Sequence, residues 1–206
     1  ASALRPDMIL TVSNYAAKRI GNVWGRTAEV LYPPVDVSAI ALGEKRSDYF
    51  LMVTTFEPNK RVGIVIDAFN ELGLPLKVVG GTGRFESHYR TIAKDNIEFL
   101  GWLPDETVRR MYGEARALIC AGVDDFGIIP VEAVAAGTPV IGYARGGIME
   151  SVRPIETSGG SDQSVATGLF FGPDPSELIS AVKRFDLMDE RIWNRRAMRG
   201  LSLIHI

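Results

Sequence analysis

Short, continuously apolar runs alternate with amphipathic stretches along most of this 206-residue chain, and this pattern restricts its fold more than any other feature. "YFLMVTT", "PLKVVGG", "IEFLG", "ALICAG", "PVIGY" and "TGLFF" read as strands. They are apolar on both faces, as strands covered from two sides must be. Between them, "KRVGIVIDAFNEL" carries Val62, Val65, Ile66 and Phe69 at helical spacing. "RFESHYRTIAKD", "PDETVRRMYGEA", "PVEAVAAG", "GGIMESV" and "DPSELISAVKRF" read as further helices, the last capped by Asp174. Alternation with short connections implies a parallel sheet with helices on both faces, a Rossmann-like α/β fold. Upstream, "MILTVS" reads as a strand and "NYAAKRIGNVW" as a helix capped by Ser13 or Asn14. "AEVLYPPVDV" is extended and stiffened by Pro33 and Pro34.

Open sheets of this kind bind ligands beyond the carboxyl ends of their strands. Four loops are therefore candidates: "TTFEPNK", "GGTGR", "GWLPD" and "DDFGIIPVE". In the last, Asp124 and Glu132 bracket an apolar turn. Pro130 suits a first helical turn and places Glu132 near the third helical position, with the Gly127 to Val131 amides facing the strand ends. A helix N-terminus receives anions and hydroxyls. The spacing alone allows a simpler reading, with Glu132 capping its helix and Asp124 an ordinary loop acid. Lys60 sits at a helix start, where a cation opposes the dipole, so it is either a solvated lysine or part of a site. Gly80, Gly81 and Gly83 follow a strand without a complete phosphate-loop motif, which favours a tight turn. His88, His205 and Cys120 make no metal set. Cys120 reads as a small buried hydrophobe.

The net charge of −2 gives no electrostatic reason to expect nucleic acid as a partner. No apolar run reaches the ~20 residues that cross a bilayer. A single cysteine excludes an internal disulfide.

"DDFGIIPVEAVAAGTPVIGYARGG" resembles the signature of retaining GT-B glycosyltransferases of family 4, in which two Glu residues flank seven others and a Gly-Gly pair follows. "NIEFLGWLPDETVRRMY", "TTFEPNKRVGIVIDAFNEL", "ILTVSNYAAKRI" and "VLYPPVDV" resemble the rest of that frame in order, from about Ile9 to Phe185. The resemblance implies the C-terminal half of a GT-B glycosyltransferase. Residues 1–30 would be a remnant of the N-terminal acceptor domain, 31–48 an interdomain linker and 49–186 the nucleotide-sugar-binding domain. Residues 187–200 would begin the C-terminal helices, and 201–206 read as a non-native tail.

The resemblance also implies roles. Glu132 would accept hydrogen bonds from the donor ribose, Asp124 would contact the transferred sugar, and Lys60 would neutralise the departing diphosphate. Amides around Phe126, Gly127, Ile128 and Ile129 would hold sugar and diphosphate, with Gly81 close to the donor. Trp102 and Leu103 would lie at the nucleobase edge. Two departures stand out: Asp124 occupies a Glu position, and the family's diphosphate-binding Arg is replaced, falling at Thr54 and Thr55 or at Asn59. Arg61 or Arg145 would have to supply that charge.

The implied activity is transfer of a hexose, mannose first, from GDP-mannose or another nucleoside diphosphate sugar with retention. No cofactor or metal is expected, and the acceptor is a glycan or lipid-linked molecule held by the N-terminal domain. The setting would be cytoplasmic, free or peripheral at an inner membrane. Alternatives are a degenerate nucleotide-sugar-binding module and a sugar-nucleotide epimerase on the same fold.

Overall fold

The computed structural model describes residues 5–81, 83, 85–155 and 165–202. Six parallel strands form the central sheet: β3 (Phe50–Val53), β4 (Leu76–Val79), β5 (Ile97–Gly101), β6 (Leu118–Cys120), β7 (Val140–Tyr143) and β8 (Gly168–Phe171). Their spatial order is β5-β4-β3-β6-β7-β8. The chain builds outward from β3 in one direction and then restarts beside it at β6. Between those two strands the crossovers diverge, which leaves a crevice at their carboxyl ends.

Helices α2 (Val62–Leu72), α3 (Glu86–Ile92), α4 (Asp105–Glu114), α5 (Ile128–Ala135), α6 (Ile148–Ser151) and α7 (Pro175–Asp186) connect the strands. Phe50, Leu51 and Met52 on β3 are buried almost completely, which is why this central strand carries no polar alternation. Phe50 meets Phe69 of α2 edge-on at 5.3 Å and Phe185 of α7 at 6.0 Å, so one strand residue ties two helices to the sheet. The first-turn carboxylate of Glu177 accepts from the Asp174 amide at 3.0 Å, closing the start of α7.

A second, separate sheet pairs β1 (Leu10–Thr11) with β2 (Glu29–Val30) in parallel around α1 (Asn14–Trp24). The strand expected over "MILTVS" is thus much shorter than its apolar run. Ser13 is the α1 cap, accepting from the Ala16 amide at 3.0 Å.

The stretch expected to be a linker, 31–48, contains no helix or strand, yet it is not loose. Val35, Val37 and Ile40 are buried in the core of the large sheet. The last described helix, α8 (Arg195–Ser202), returns over the same stretch, with Arg199 donating to the Ile40 carbonyl at 2.6 Å and the Ala135 carbonyl at 2.9 Å. Leu201 and Ser202, read from sequence as part of a tail, lie in this helix, and Ser202 is buried. Residues 203–206, with His205, and the loop "SGGSDQS" lie outside the described residues, as do Thr82 and Arg84 of "GGTGR".

The glycine after β4 is a packing requirement. Gly80 has φ +138°, and a Cβ there would fall 1.7 Å from the Thr54 carbonyl oxygen. At neighbouring Gly81 a Cβ would meet Trp102 at an ordinary 3.5 Å. Gly80→Ala should therefore destabilise the chain by about 3 kcal/mol, a Tm loss of roughly 6–12 °C. Gly81→Ala should leave Tm nearly unchanged. Thermal denaturation of the two variants side by side checks both.

Candidate functional site

Two loops meet over the crevice between β3 and β6. After β3 the chain forms a 3₁₀ turn over Pro58–Lys60, and after β6 it runs through Gly122 to Gly127 into α5. The Val123 amide donates to the Asn59 carbonyl at 3.1 Å, joining the loops through their backbones. Gly122 keeps them close: a Cβ there would lie 3.1 Å from Lys60 Cδ and 3.5 Å from the Asn59 carbonyl oxygen. Asn59 thus contributes main chain to this junction.

Lys60 and Asp124, 64 residues apart, meet here. Lys60 Nζ donates to Asp124 Oδ1 at 2.6 Å, with the two side chains 23% and 41% exposed. The placement of Lys60 near a helix start is thereby explained, since its charge is met by a carboxylate. Adjacent Asp125 faces elsewhere: its carboxylate pairs with Arg19 and its carbonyl accepts from the Ser13 hydroxyl, both on the N-terminal unit.

Gly127, at φ +89°, turns the chain into α5 earlier than the position of Pro130 suggested. The helix starts at Ile128, so Glu132 is its fifth residue, and no side-chain cap bond closes its start. Proline is tolerated because first-turn amides have no partner inside the helix. Among the described residues, no acceptor meets the amides of Gly127, Ile128 or Ile129. Phe126 is buried against Tyr32, with ring centroids 6.0 Å apart, while Ile128 is exposed.

One turn inside α5, Glu132 accepts from the Tyr112 hydroxyl at 3.1 Å. Burial raises the Glu132 pKa, against the lowering effects of that hydrogen bond and of the Arg109 charge. Burial likewise raises the Tyr112 hydroxyl pKa, so it remains a donor. Tyr112 and Arg109 were missed in the sequence reading. Their only signal was α4 itself, whose inner face turns toward α5.

A small cavity of about 30 Å³ contains Lys60, Asp124, Gly127 and Ile129 in its wall. An adjoining one of about 270 Å³ is lined by Gly80, Trp102, Leu103, Arg109, Tyr112 and Glu132. Val53 and Ile129 border both. Lys60 and Asp124 therefore line the smaller, and Glu132 the larger, of two neighbouring lobes. Trp102 stands 75% exposed at the outer end, and Gly81 packs beneath it.

Arg61 and Arg145 are engaged elsewhere. The Arg61 guanidinium lies 3.9 Å from the Tyr143 ring centroid, and its Nη2 donates to the Pro173 carbonyl. Arg61 is the only residue other than glycine with positive φ among the described residues, at 53°. That conformation costs ~1–2 kcal/mol, which a desolvated cation–π contact of up to about 2 kcal/mol can offset. Arg145 interacts with the Tyr15 and Tyr143 side chains. Among the described residues, Lys60 is thus the only basic one lining the smaller lobe. Cys120 lines it too, but burial, reinforced by Asp124, pushes its thiol up to about 12, leaving it protonated near neutrality. His88 is exposed on α3 beside Tyr89. Among the described residues no His, Cys, Asp and Glu cluster could hold a metal ion, and no helix is long and apolar enough to cross a membrane.

The family described as Glycosyl transferases group 1 matches residues 38–191. An uncharacterized glycosyltransferase of Methanocaldococcus jannaschii is 29% identical over 150 residues, covering 71% of this chain and 42% of that protein. The O-antigen chain mannosyltransferase RfbU of Salmonella typhimurium is 29% identical over 155 residues, covering 68% and 43%. The chain spans less than half the length of these curated relatives. Sucrose-phosphate synthase from Thermosynechococcus elongatus superposes with a TM-score of 0.78 at 20% identity, covering 97% of this chain and 54% of that one. This likeness shows the shared fold.

The raised Glu132 pKa has a sign that can be measured. Below its unfolded value, near 4.3, the carboxyl is protonated in both states and costs nothing. As pH rises through the folded pKa, the buried carboxylate becomes a full penalty. Glu132→Gln should therefore melt above the parent at pH 8, with the difference closing toward pH 4 in parallel thermal scans.

Proposed function

The chain belongs to the glycosyl transferases group 1 family, and on that premise we propose that its two-lobed crevice binds a nucleoside diphosphate sugar for transfer of the sugar to an acceptor. The observation that carries this reading is the convergence of one cation, one acid and a run of unmatched amides at the mouth of a cavity containing a second acid. The larger lobe, with Trp102 and Leu103 at its edge and Glu132 in its wall, suits a base and a ribose. Glu132 would accept from the ribose hydroxyls while the Tyr112 hydroxyl holds its carboxylate in place. The diphosphate would lie between the lobes, against Lys60 and the amides of Gly127, Ile128 and Ile129. Opposite unit charges ~4 Å apart interact by about 4 kcal/mol at an effective dielectric constant of 20. A diphosphate carries more charge than one carboxylate and would draw Lys60 from Asp124. Asp124, released, would turn to hydroxyls of the sugar.

Chemically, Lys60 and the α5 amides would stabilise negative charge on the departing diphosphate as the anomeric carbon becomes cationic. No side chain in the smaller lobe is placed as an obvious nucleophile: the Cys120 thiol is protonated, and Asp124, once released, would be taken up by the sugar hydroxyls. This favours front-face attack with retained configuration and no covalent intermediate. Protein cations and helix amides would serve without a metal. Mannose is the proposed sugar, supported by the named mannosyltransferase among the relatives, and GDP-mannose is its proposed donor. The acceptor, a glycan or lipid-linked molecule, would be held by a further domain of a longer protein. Membrane contact would then be peripheral.

A second reading is nucleotide-sugar binding without transfer. It is favoured by Lys60 being the single cation among the described residues of the smaller lobe, where two would neutralise a leaving diphosphate better.

Thermal shift of the chain with GDP, UDP, ADP and their sugars, repeated on Lys60→Ala and Glu132→Ala, tests the site. The parent should be stabilised most by GDP-mannose, by ~2–3 kcal/mol when ligand exceeds its Kd a hundredfold. Lys60→Ala should lose most of the response to nucleoside diphosphates, and Glu132→Ala should lose it for any ligand bearing ribose. A parent that responds to no nucleotide, or variants that respond as the parent does, would refute the assignment. Turnover of labelled GDP-mannose by a full-length protein separates transfer from binding alone.

A further inference from the structure

The backbone beside Lys60 is held in an unusual shape by contacts far from the crevice. Arg61 closes the 3₁₀ turn, its amide donating to the Pro58 carbonyl at 3.2 Å, and its own carbonyl accepts from the Ile64 amide at 3.2 Å to open α2. At φ 53° it has the left-handed conformation that residues with a Cβ avoid. Its side chain gives no cap bond to α2. It extends instead across the carboxyl end of the sheet, onto the Tyr143 ring at the end of β7 and the Pro173 carbonyl after β8. Arg61 Nη1 is buried with no hydrogen-bond partner. On the other side of the turn, Asn59 is held by Val123 and Lys60 rests on Gly122. The Lys60 side chain leaves the turn between these two grips and reaches Asp124.

We propose that Arg61 is a positioning residue: clamped by Tyr143 and Pro173, it locks the left-handed turn that presents the Lys60 ammonium to Asp124 and the crevice. The turn's shape favours glycine, and the chain holds an arginine there whose side chain secures the geometry. The direction of the crevice cation is thereby tied to the opposite half of the sheet. The consequence for ligand binding rests on the nucleotide-sugar reading above; the orientation of Lys60 does not.

Two measurements separate these levels. The first needs no ligand: the rate of Lys60 acylation by a limiting amine-reactive reagent, followed by peptide mass spectrometry. Arg61→Ala and Tyr143→Leu should each raise that rate several-fold, because the ammonium leaves Asp124. Tyr143→Phe, which keeps the aromatic face, should match the parent. Arg61→Gly, which adopts the turn without strain, should fall between the parent and Arg61→Ala. Melting curves show which variants are folded, and Tyr143→Leu carries the test should Arg61→Ala unfold. Lys60 reactivity unchanged in both Arg61→Ala and Tyr143→Leu, or Arg61→Gly as reactive as Arg61→Ala, would overturn the proposal.

The second is GDP affinity in a double-mutant cycle. Arg61→Ala should weaken GDP about tenfold in the parent and less than about twofold in Lys60→Ala, the coupling expected of a residue acting through its neighbour. Equal loss in both backgrounds would make Arg61 a direct ligand contact and overturn the positioning role. If the parent binds no nucleotide while the acylation pattern holds, the clamp stands and the nucleotide-sugar reading falls.

Discussion

The reversal of strand order between β3 and β6 is the constraint on which the site depends. At this junction the chain departs in opposite directions, and the loops after the two strands are left to meet each other. They do so through one backbone hydrogen bond, Val123 to Asn59, across a glycine that admits the Lys60 stem. A side chain at Gly122 would press on the Lys60 stem, which would have to give by a few tenths of an ångström. The ion pair follows from this backbone junction and does not create it, since a half-exposed pair contributes at most about 1 kcal/mol.

A second support comes from the far side of the Asp124 loop. Gly146 and Gly147, after β7, lie against its backbone: the Gly147 amide donates to the Asp124 carbonyl at 2.8 Å, and a Cβ at Gly147 would fall 2.3 Å from the Asp125 carbonyl oxygen. The glycine pair in "ARGG" therefore acts as a close-packed floor under the acidic loop.

The N-terminal unit is fastened to the same place. The Glu150 carboxylate accepts from the Asn14 and Tyr15 amides, the Asn14 side chain and the Tyr32 hydroxyl, at 2.8–3.0 Å. Burial opposes ionisation of Glu150, but these donors outweigh it and lower its pKa. With Arg19 and Ser13 on Asp125, this places α1 directly above the Asp124–Gly127 loop.

Much of this was legible along the chain. Apolar strands between amphipathic helices determine a covered parallel sheet, because burial on two faces tolerates no polar alternation; the exceptions are Lys77 in β4 and Glu98 in β5, the latter exposed on an edge strand. The loops after the strands could be chosen as the candidate site for the same reason, and Lys60, Asp124 and Glu132 could be named within them. Tertiary structure alone decided how those residues are used. Asp124, and not Asp125, faces Lys60, because Asp125 is drawn to α1. Glu132 lies one turn inside α5 on the Tyr112 hydroxyl, because Gly127 starts the helix early. Arg61 leaves the crevice for Tyr143 and Pro173. Local sequence sets periodicity and turn type, which depend on neighbours in the chain. The direction of a side chain depends on partners tens of residues away, which only the packed sheet brings within reach.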